Sequence, residues 1–400
     1  MKKKLLFVIP SLEAGGAEKS LVNLLNTINF ERHEVDVLLF KNAGLFLRLV
    51  PKEVRIIALE DDYTTFTQPF FSSVTNFAKQ GKMRLALSRL AFTVKNSTIK
   101  NNGMAEQQSW SNIVKSFPKI TKHYDAAIGF LEKSSIYFVV DCVNASKKIG
   151  FIHNDYKKLN LNAQFDLPYF KKLDAIVTVS EECKSVLQDV FPSQKDKVNV
   201  LYNIVSESLI KEMAEEKISV IQDKPILLSI GRLHPQKGFD TAIEAAKLLL
   251  DKGIDFVWYI IGEGAERSLL EKMITERQLQ KNFLLLGLKE NPYPYIKAAT
   301  LVVQPSRYEG KSIAIDEAKI LQKPIVVTNF STAKDQIHHL KNGIITVSNA
   351  ESLAAGIESL LSNPILQKEL SLHLSEELQA RKSGTESEID IFYQILNDES

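Results

Sequence analysis

The amino-acid sequence predicts an α/β protein made of two doubly wound parallel-sheet domains. Three observations predict it. The chain has 400 residues, more than one hydrophobic core usually serves. Short runs rich in Val, Ile and Leu alternate with helical patterns from one end to the other. Those runs are apolar throughout rather than at every second position, as expected for strands covered by helices on both faces.

The elements follow in order. The first set of runs lies at residues 5–9, 35–40, 54–59, 126–130, 149–152, 175–179 and 198–202. The second set lies at 226–230, 256–261, 283–286, 301–303, 325–327 and 344–346. Between them 204–224 is polar and charge-rich, and Pro225 introduces a fresh strand. The opening Met-Lys-Lys-Lys and its apolar run read as the first strand. For a signal peptide the run is too short, and polar residues 11–20 follow at once. No 18 apolar residues run together, so no membrane span is expected.

Composition narrows the class further. At 44% hydrophobic and 24% charged residues the chain is globular, neither collagen-like nor disordered. Fifty basic against 48 acidic residues give a net charge of +2, so no nucleic-acid partner is expected. Cys142 and Cys183 stand in separate segments without a CxxC, which fits a reduced, cytoplasmic setting. His338 and His339 are adjacent and point apart on any regular element, so no metal site is expected there.

Residues 63–105 depart from the alternation. They contain no acid, carry Lys79, Lys82, Arg84, Arg89, Lys95 and Lys100, and are rich in Phe. Met83, Leu87, Leu90 and Val94 recur at helical spacing beside these cations. Two readings stay open: a helix packed on its own domain, or a basic amphipathic element that meets an anionic membrane surface or a lipid-phosphate acceptor.

In doubly wound sheets ligands bind beyond the carboxyl ends of the strands, so the loops there carry the candidate chemistry. After the first strand comes Pro10–Glu18 with the pair Gly15-Gly16, followed by a helical pattern. Glycines at a helix start let the backbone approach a phosphate, although they also simply turn a corner. The loop after 226–230 holds Gly231, Arg232, Lys237 and Gly238. Two cations there suit a diphosphate, a planar fork and a point charge, or are ordinary surface cations. The stretch after 301–303 places Glu309 in a loop, and Glu317 on the apolar stripe of the next helix with Ile313 and Ile320. A buried carboxylate needs partners, which ligand hydroxyls or a neighbouring cation would supply. The N–H groups of Ser312 and Ile313 open that helix and can cradle a phosphate oxygen.

Gly15-Gly16-Ala17-Glu18, Gly231-Arg232 with Lys237-Gly238, and two glutamates with seven residues between them together resemble retaining glycosyltransferases of family 4. The resemblance covers essentially the whole chain. It implies the GT-B fold, two Rossmann-like doubly wound domains facing a central cleft. Residues 1–205 would form the acceptor-side domain and 206–384 the nucleotide-sugar domain. A last helix, 385–400, would pack back on the first domain through Ile389, Phe392, Tyr393 and Ile395.

The resemblance also implies roles. Arg232 and Lys237 would bind the diphosphate of a nucleotide-sugar, and Glu317 the ribose hydroxyls. Glu309 would contact the donor sugar beside the reacting carbon. Gly16 would bring its backbone against the phosphates, and His153, after the strand 149–152, would lie near the transferred sugar. Gly262, Gly264 and Leu288 match loops that flank the base. Where relatives commonly have Glu-Gly-Phe-Gly, this chain has Glu309-Gly310-Lys311-Ser312. Lys311 and Ser312 add polar groups beside the donor, a pattern that looks like enzymes of bacterial capsule, exopolysaccharide and cell-wall polymer assembly.

The partners implied are a nucleotide-sugar, with UDP as the nucleotide, and a glycan, lipid-linked or protein-linked acceptor. A peripheral contact at the inner face of the cell membrane would run through 63–105. Neither a cofactor nor a metal is expected, because cationic side chains take the metal's place. Two alternatives stand beside this reading. One is a catalytically silent GT-B subunit that binds a partner glycosyltransferase or a glycosylated protein, against which the intact Arg232, Lys237, Glu309 and Glu317 argue. The other is a different GT-B reaction, nucleotide-sugar epimerisation or phosphorolysis.

Overall fold

The computed structural model describes residues 2–397 apart from 14, 60–61, 100–101, 206, 221–222 and 383–387. The chain divides into two compact units. The first takes in Met1–Glu13, Ala17–Tyr202 and Glu388–Ser400, and the second Ala14–Gly16 and Asn203–Ser387.

Among the described residues the first unit has seven strands: β1 (Lys3–Ile9), β2 (His33–Leu39), β3 (Arg55–Ala58), β4 (Ile120–Gly129), β5 (Val143–Ile152), β6 (Ala175–Thr178) and β7 (Val198–Val200). Their order across the sheet is β3-β2-β1-β4-β5-β6-β7, and every neighbour pairing is parallel. Leu5 to Ile9 of β1 are all buried, as a central strand under helices on both faces requires.

The second unit repeats the plan with β8 (Ile226–Ile230), β9 (Val257–Ile261), β10 (Phe283–Leu285), β11 (Leu301–Gln304), β12 (Ile325–Thr328) and β13 (Ile344–Thr346). Its order is β10-β9-β8-β11-β12-β13, again all parallel. Both sheets thus wind outward in opposite directions from one central pair, β1 with β4 and β8 with β11. Between those strands the loops diverge and leave a crevice for ligand at the carboxyl edge.

One segment differs from expectation, and a second lies where the resemblance placed it. The polar stretch that separates the two sets of runs contains the helix Glu207–Met213, and Ile210 and Ala214 are buried with Ile226 and Ile296 in the second unit's core. These few apolar positions turn inward. At the far end of the chain, Glu388–Ile395 is a helix of the first unit. Phe392 is fully buried with its ring stacked on Phe7 at 6.1 Å, and Tyr393 stacks on His33 at 5.1 Å. The Asn29 N–H donates to Tyr393 Oη at 2.9 Å, and the Tyr202 N–H to Glu388 at 2.9 Å.

The described residues of 62–113 are helical, in Asp62–Thr67, Phe70–Lys79, Met83–Thr98 and Asn102–Ile113. Lys100 lies outside the described residues. The helices close around Phe66, Phe77, Leu85 and Ala86. Arg89 lies over the rings of Phe66 and Phe92 at 5.5 and 5.3 Å, so this cation serves the helical layer itself. No helix among the described residues is long and apolar enough to cross a membrane.

Candidate active site

The loops that follow β8 and β11, the central pair of the second sheet, are stitched together by a network of polar contacts. Lys237 Nζ lies 2.6 Å from Glu309 Oε1. Ser306 Oγ and Gln304 Nε2 donate to the same oxygen at 2.6 and 3.2 Å. Gln236 donates from Nε2 to the Tyr308 carbonyl at 3.0 Å, and the Arg307 N–H donates to the Gln236 carbonyl at 2.8 Å. Arg307 also grips Asp240 through both guanidinium nitrogens, at 2.9 and 2.6 Å. The carboxylate of Glu309 is therefore buried and satisfied, with a cation and two neutral donors converging on one of its oxygens.

Local backbone makes this arrangement possible. The loop after β8 turns through a short 3-10 helix, Pro235–Lys237, and ends at Gly238 with φ 67°. A Cβ at Gly238 would come within 2.1 Å of the Pro305 carbonyl oxygen, so only glycine lets the two loops meet. The stem of Lys237 passes over Gly231, whose added Cβ would lie 3.1 Å from it. Next in the row, Gly262 approaches Gly231 so closely that a Cβ would sit 1.9 Å from the Gly231 carbonyl oxygen. The Gly262 N–H donates to the Gly287 carbonyl at 3.0 Å, and the Leu233 N–H to the Glu263 carbonyl at 2.9 Å. Gly262, Gly264 and Leu288 thus lie in loops tied in sequence to the Arg232 loop, and Leu288 is exposed.

Arg232 is exposed in this loop. The electrostatics there are positive: burial, then the charges of Arg232 and Lys237, push the His234 imidazole below its ordinary value. Such a field favours an anion.

The helix Ile313–Ile320 carries the second glutamate. Glu317 is 1% exposed, and Tyr293 Oη donates to it at 3.3 Å. At the helix start, Gln336 accepts from the Ser312 N–H at 2.9 Å and donates to the Ser312 carbonyl at 2.9 Å and to Asp316 at 3.0 Å. The Ser312 N–H is thus occupied, which leaves the next one, at Ile313, as the opening group of the helix. The Lys311 side chain is largely covered, with its ammonium 3.9 Å from Asp316 Oδ2. This places a shielded ion pair at the start of that helix.

Gly16 and His153 follow strands of the first sheet. Gly16 begins the helix Gly16–Leu25, is exposed, and would bring an added Cβ within 4 Å of nothing. His153 follows β5 against the rings of Phe130 and Phe151, at 5.0 and 5.8 Å. Its Nε2 is buried without a hydrogen-bond partner among the described residues. Burial drives its pKa down to about 4, against the pull of Glu132 and of a hydrogen bond to the Phe130 backbone. The ring is therefore neutral at pH 7. Glu132 holds the neighbouring backbone, accepting from the His153 N–H at 3.2 Å and from Asn154 Nδ2 at 3.0 Å.

Sequence reasoning missed Gln236, Gln304, Ser306, Tyr293 and Gln336. Neutral polar residues have no spacing signal of their own, and their roles depend on loops far apart in the chain.

Residues 211–377 match the family model for glycosyl transferases group 1. A poly(ribitol-phosphate) alpha-N-acetylglucosaminyltransferase of Staphylococcus aureus is 31% identical over 44% of this chain and 36% of its own. An N-acetylgalactosamine-N,N'-diacetylbacillosaminyl-diphospho-undecaprenol 4-alpha-N-acetylgalactosaminyltransferase of Campylobacter jejuni is 26% identical over 92% of each chain. Among solved structures, a mutant of S. aureus TarM in complex with Fondaparinux, alpha-GlcNAc-glycerol and UDP superposes with a TM-score of 0.68 at 17% identity, over 99% of this chain and 100% of that one. The chain spans about half the length of most curated relatives that it matches, 57%, 36% and 61% in three of them. With two parallel doubly wound sheets and that superposition the chain has the GT-B fold, and its second unit matches the glycosyl transferases group 1 family.

Proposed function

We propose that this protein is a retaining glycosyltransferase that moves a sugar from a UDP-sugar to an acceptor in bacterial capsule, exopolysaccharide, cell-wall polymer or glycan synthesis. It works in the cytoplasm and without a metal. The observation that carries the proposal is the meeting of Lys237 and Glu309 at the carboxyl ends of β8 and β11, beside the positive loop of Arg232. The names of the staphylococcal and Campylobacter relatives, both glycosyltransferases, support it, as does the UDP held by the solved TarM complex.

The chemistry follows from charge. As the bond between the anomeric carbon and the diphosphate breaks, negative charge grows on the leaving oxygen and the sugar gains oxocarbenium character. Arg232 and Lys237 stabilise that charge, and fixed donors cost no reorganisation at the moment of reaction. Lys311, Ser312 and the Ile313 N–H add donor contacts, and Gly262, Gly264 and Leu288 flank the base. Glu309 contacts the sugar beside the reacting carbon, and Glu317 the ribose. Gly16 offers its backbone to the phosphates, and neutral His153 offers an imidazole to the transferred sugar. The acceptor hydroxyl attacks from the face that the diphosphate leaves, forming the new C–O bond. Its proton passes to the departing phosphate oxygen, so no separate base is needed.

Product analysis tests this reading. A panel of UDP- and GDP-sugars is offered with acceptor fragments, and the anomeric configuration of any product is read by NMR. Transfer from a UDP-sugar with the donor's configuration is expected. An inverted product overturns retention, and UDP binding without transfer to any acceptor favours the silent subunit.

A further inference from the structure

The helix Met83–Thr98 carries apolar residues on two opposite sides. One side, Leu85 and Phe92 with Ser88 between them, faces its neighbours in the helical layer. The other side is Met83, Leu87, Leu90 and Val94, spaced at i, i+4, i+7 and i+11 along one stripe. All four point outward, with exposures of 56%, 63%, 47% and 53%. A soluble helix places polar groups on that side. The preceding helix adds Phe71, 79% exposed.

The segment that carries the stripe holds charge of one sign. Residues 63–105 contain no Asp or Glu in a chain whose charges otherwise nearly balance. Some of the cations are engaged: Lys82 with Asp62 at 2.5 Å, Lys95 with the Gln108 carbonyl at 3.0 Å, and Arg89 over aromatic rings. Lys79 and Arg84 are exposed and have no acidic partner among the described residues. A second copy of the chain is a poor occupant, because a face on which exposed Lys79 and Arg84 leave cations in excess repels a copy of itself. An anionic lipid surface matches both properties, since its acyl boundary takes the stripe and its headgroups pair with the cations.

We propose that the outward stripe of Met83–Thr98 docks the protein on an anionic bilayer, with Leu87 and Leu90 inserted at the headgroup boundary and Lys79 and Arg84 against lipid phosphates. The proposal goes beyond the transferase reading and does not depend on it, because membrane binding is measured without donor or acceptor.

The test is flotation of the full chain with vesicles of phosphatidylcholine alone and of phosphatidylcholine containing about one-third phosphatidylglycerol. Binding to the anionic vesicles alone is expected, weakening as salt rises. The double variant Leu87→Ser/Leu90→Ser should lose at least about tenfold in partitioning, and Arg84→Glu several-fold, with unchanged far-UV circular dichroism and Tm. A Leu90→Trp variant should shift its emission to the blue when anionic vesicles are added. Absence of flotation, full binding by the double variant, or an unshifted Trp spectrum overturns the proposal. So does a wild-type dimer that the double variant converts to monomer, since the stripe would then be an interface between copies. Capture by an acidic protein without vesicle binding would likewise replace the lipid by a protein partner.

Discussion

Lys237 Nζ stands 2.6 Å from Glu309 Oε1, across two loops 72 residues apart in sequence. The contact fixes the ammonium and the carboxylate relative to one another before any ligand arrives. Preorganised charge of this kind is what a leaving diphosphate needs, because no side chain must be reoriented as the bond breaks.

The pair supplies a first prediction. Lys237→Ala and Arg232→Ala should each lower turnover by about two orders of magnitude, the usual cost of one lost electrostatic donor. Lys237→Ala also strips a buried carboxylate of its cation, so its Tm should fall, whereas exposed Arg232→Ala should leave Tm unchanged. Steady-state rates and thermal melts of both variants check this, and near wild-type rates for the two would remove the phosphate assignment.

Gly16 gives a second. Nothing in the fold requires glycine there, for an added Cβ meets no atom within 4 Å. Gly16→Val should therefore leave stability within about 0.5 kcal/mol of wild type. If a diphosphate approaches that backbone, the donor KM should rise by roughly tenfold or more, a loss on the scale of one charge-assisted hydrogen bond. Unchanged donor kinetics would return Gly16 to a mere corner.

His153 titrates in a predictable direction. Its folded-state pKa is lowered from 6.5 to about 4, chiefly by burial among Phe130 and Phe151, with Glu132 acting in the opposite sense. Above pH 6.5 both folded and unfolded forms are neutral and the stability is fully present. As the pH falls from 6.5 toward 4 the unfolded chain takes a proton that the folded chain refuses, and stability declines by about 3 kcal/mol. His153→Gln should flatten that part of the denaturation profile. Urea melts at several pH values across the window read the slope directly.

The helix Glu388–Ile395 carries a stability prediction. Phe392→Ala empties a site under Phe7 and should cost about 3–5 kcal/mol, whereas Tyr393→Phe removes one hydrogen bond and should cost about 1 kcal/mol. Chemical denaturation followed by circular dichroism separates the two values.

The strands were readable in the sequence because both-sided burial writes them as continuous apolar runs, as in Leu5 to Ile9. The same criterion shortens β4 and β5, which begin at Ile120 and Val143, well before their apolar cores. The early part of β4 carries Lys122 and Tyr124, both bonded to buried Asp36 at 2.9 and 2.6 Å, and such polar strand positions leave no apolar run. At the site, glycines and charges stand out by type and spacing. The neutral donors around Glu309 do not, since Gln304, Ser306 and Gln236 acquire meaning only when β8 and β11 become neighbours. Periodicity finds the stripe of Met83, Leu87, Leu90 and Val94 but not its direction. Leu85 and Phe92 form a second apolar face on the same helix, and packing alone decides which one is covered.

The most direct measurement is UDP release from a panel of UDP- and GDP-sugars in the presence of EDTA, with Glu309→Ala as the control. Release from one UDP-sugar that persists in EDTA and disappears in the variant is the predicted result. Release that EDTA abolishes, or that Glu309→Ala sustains at the wild-type rate, would contradict the account.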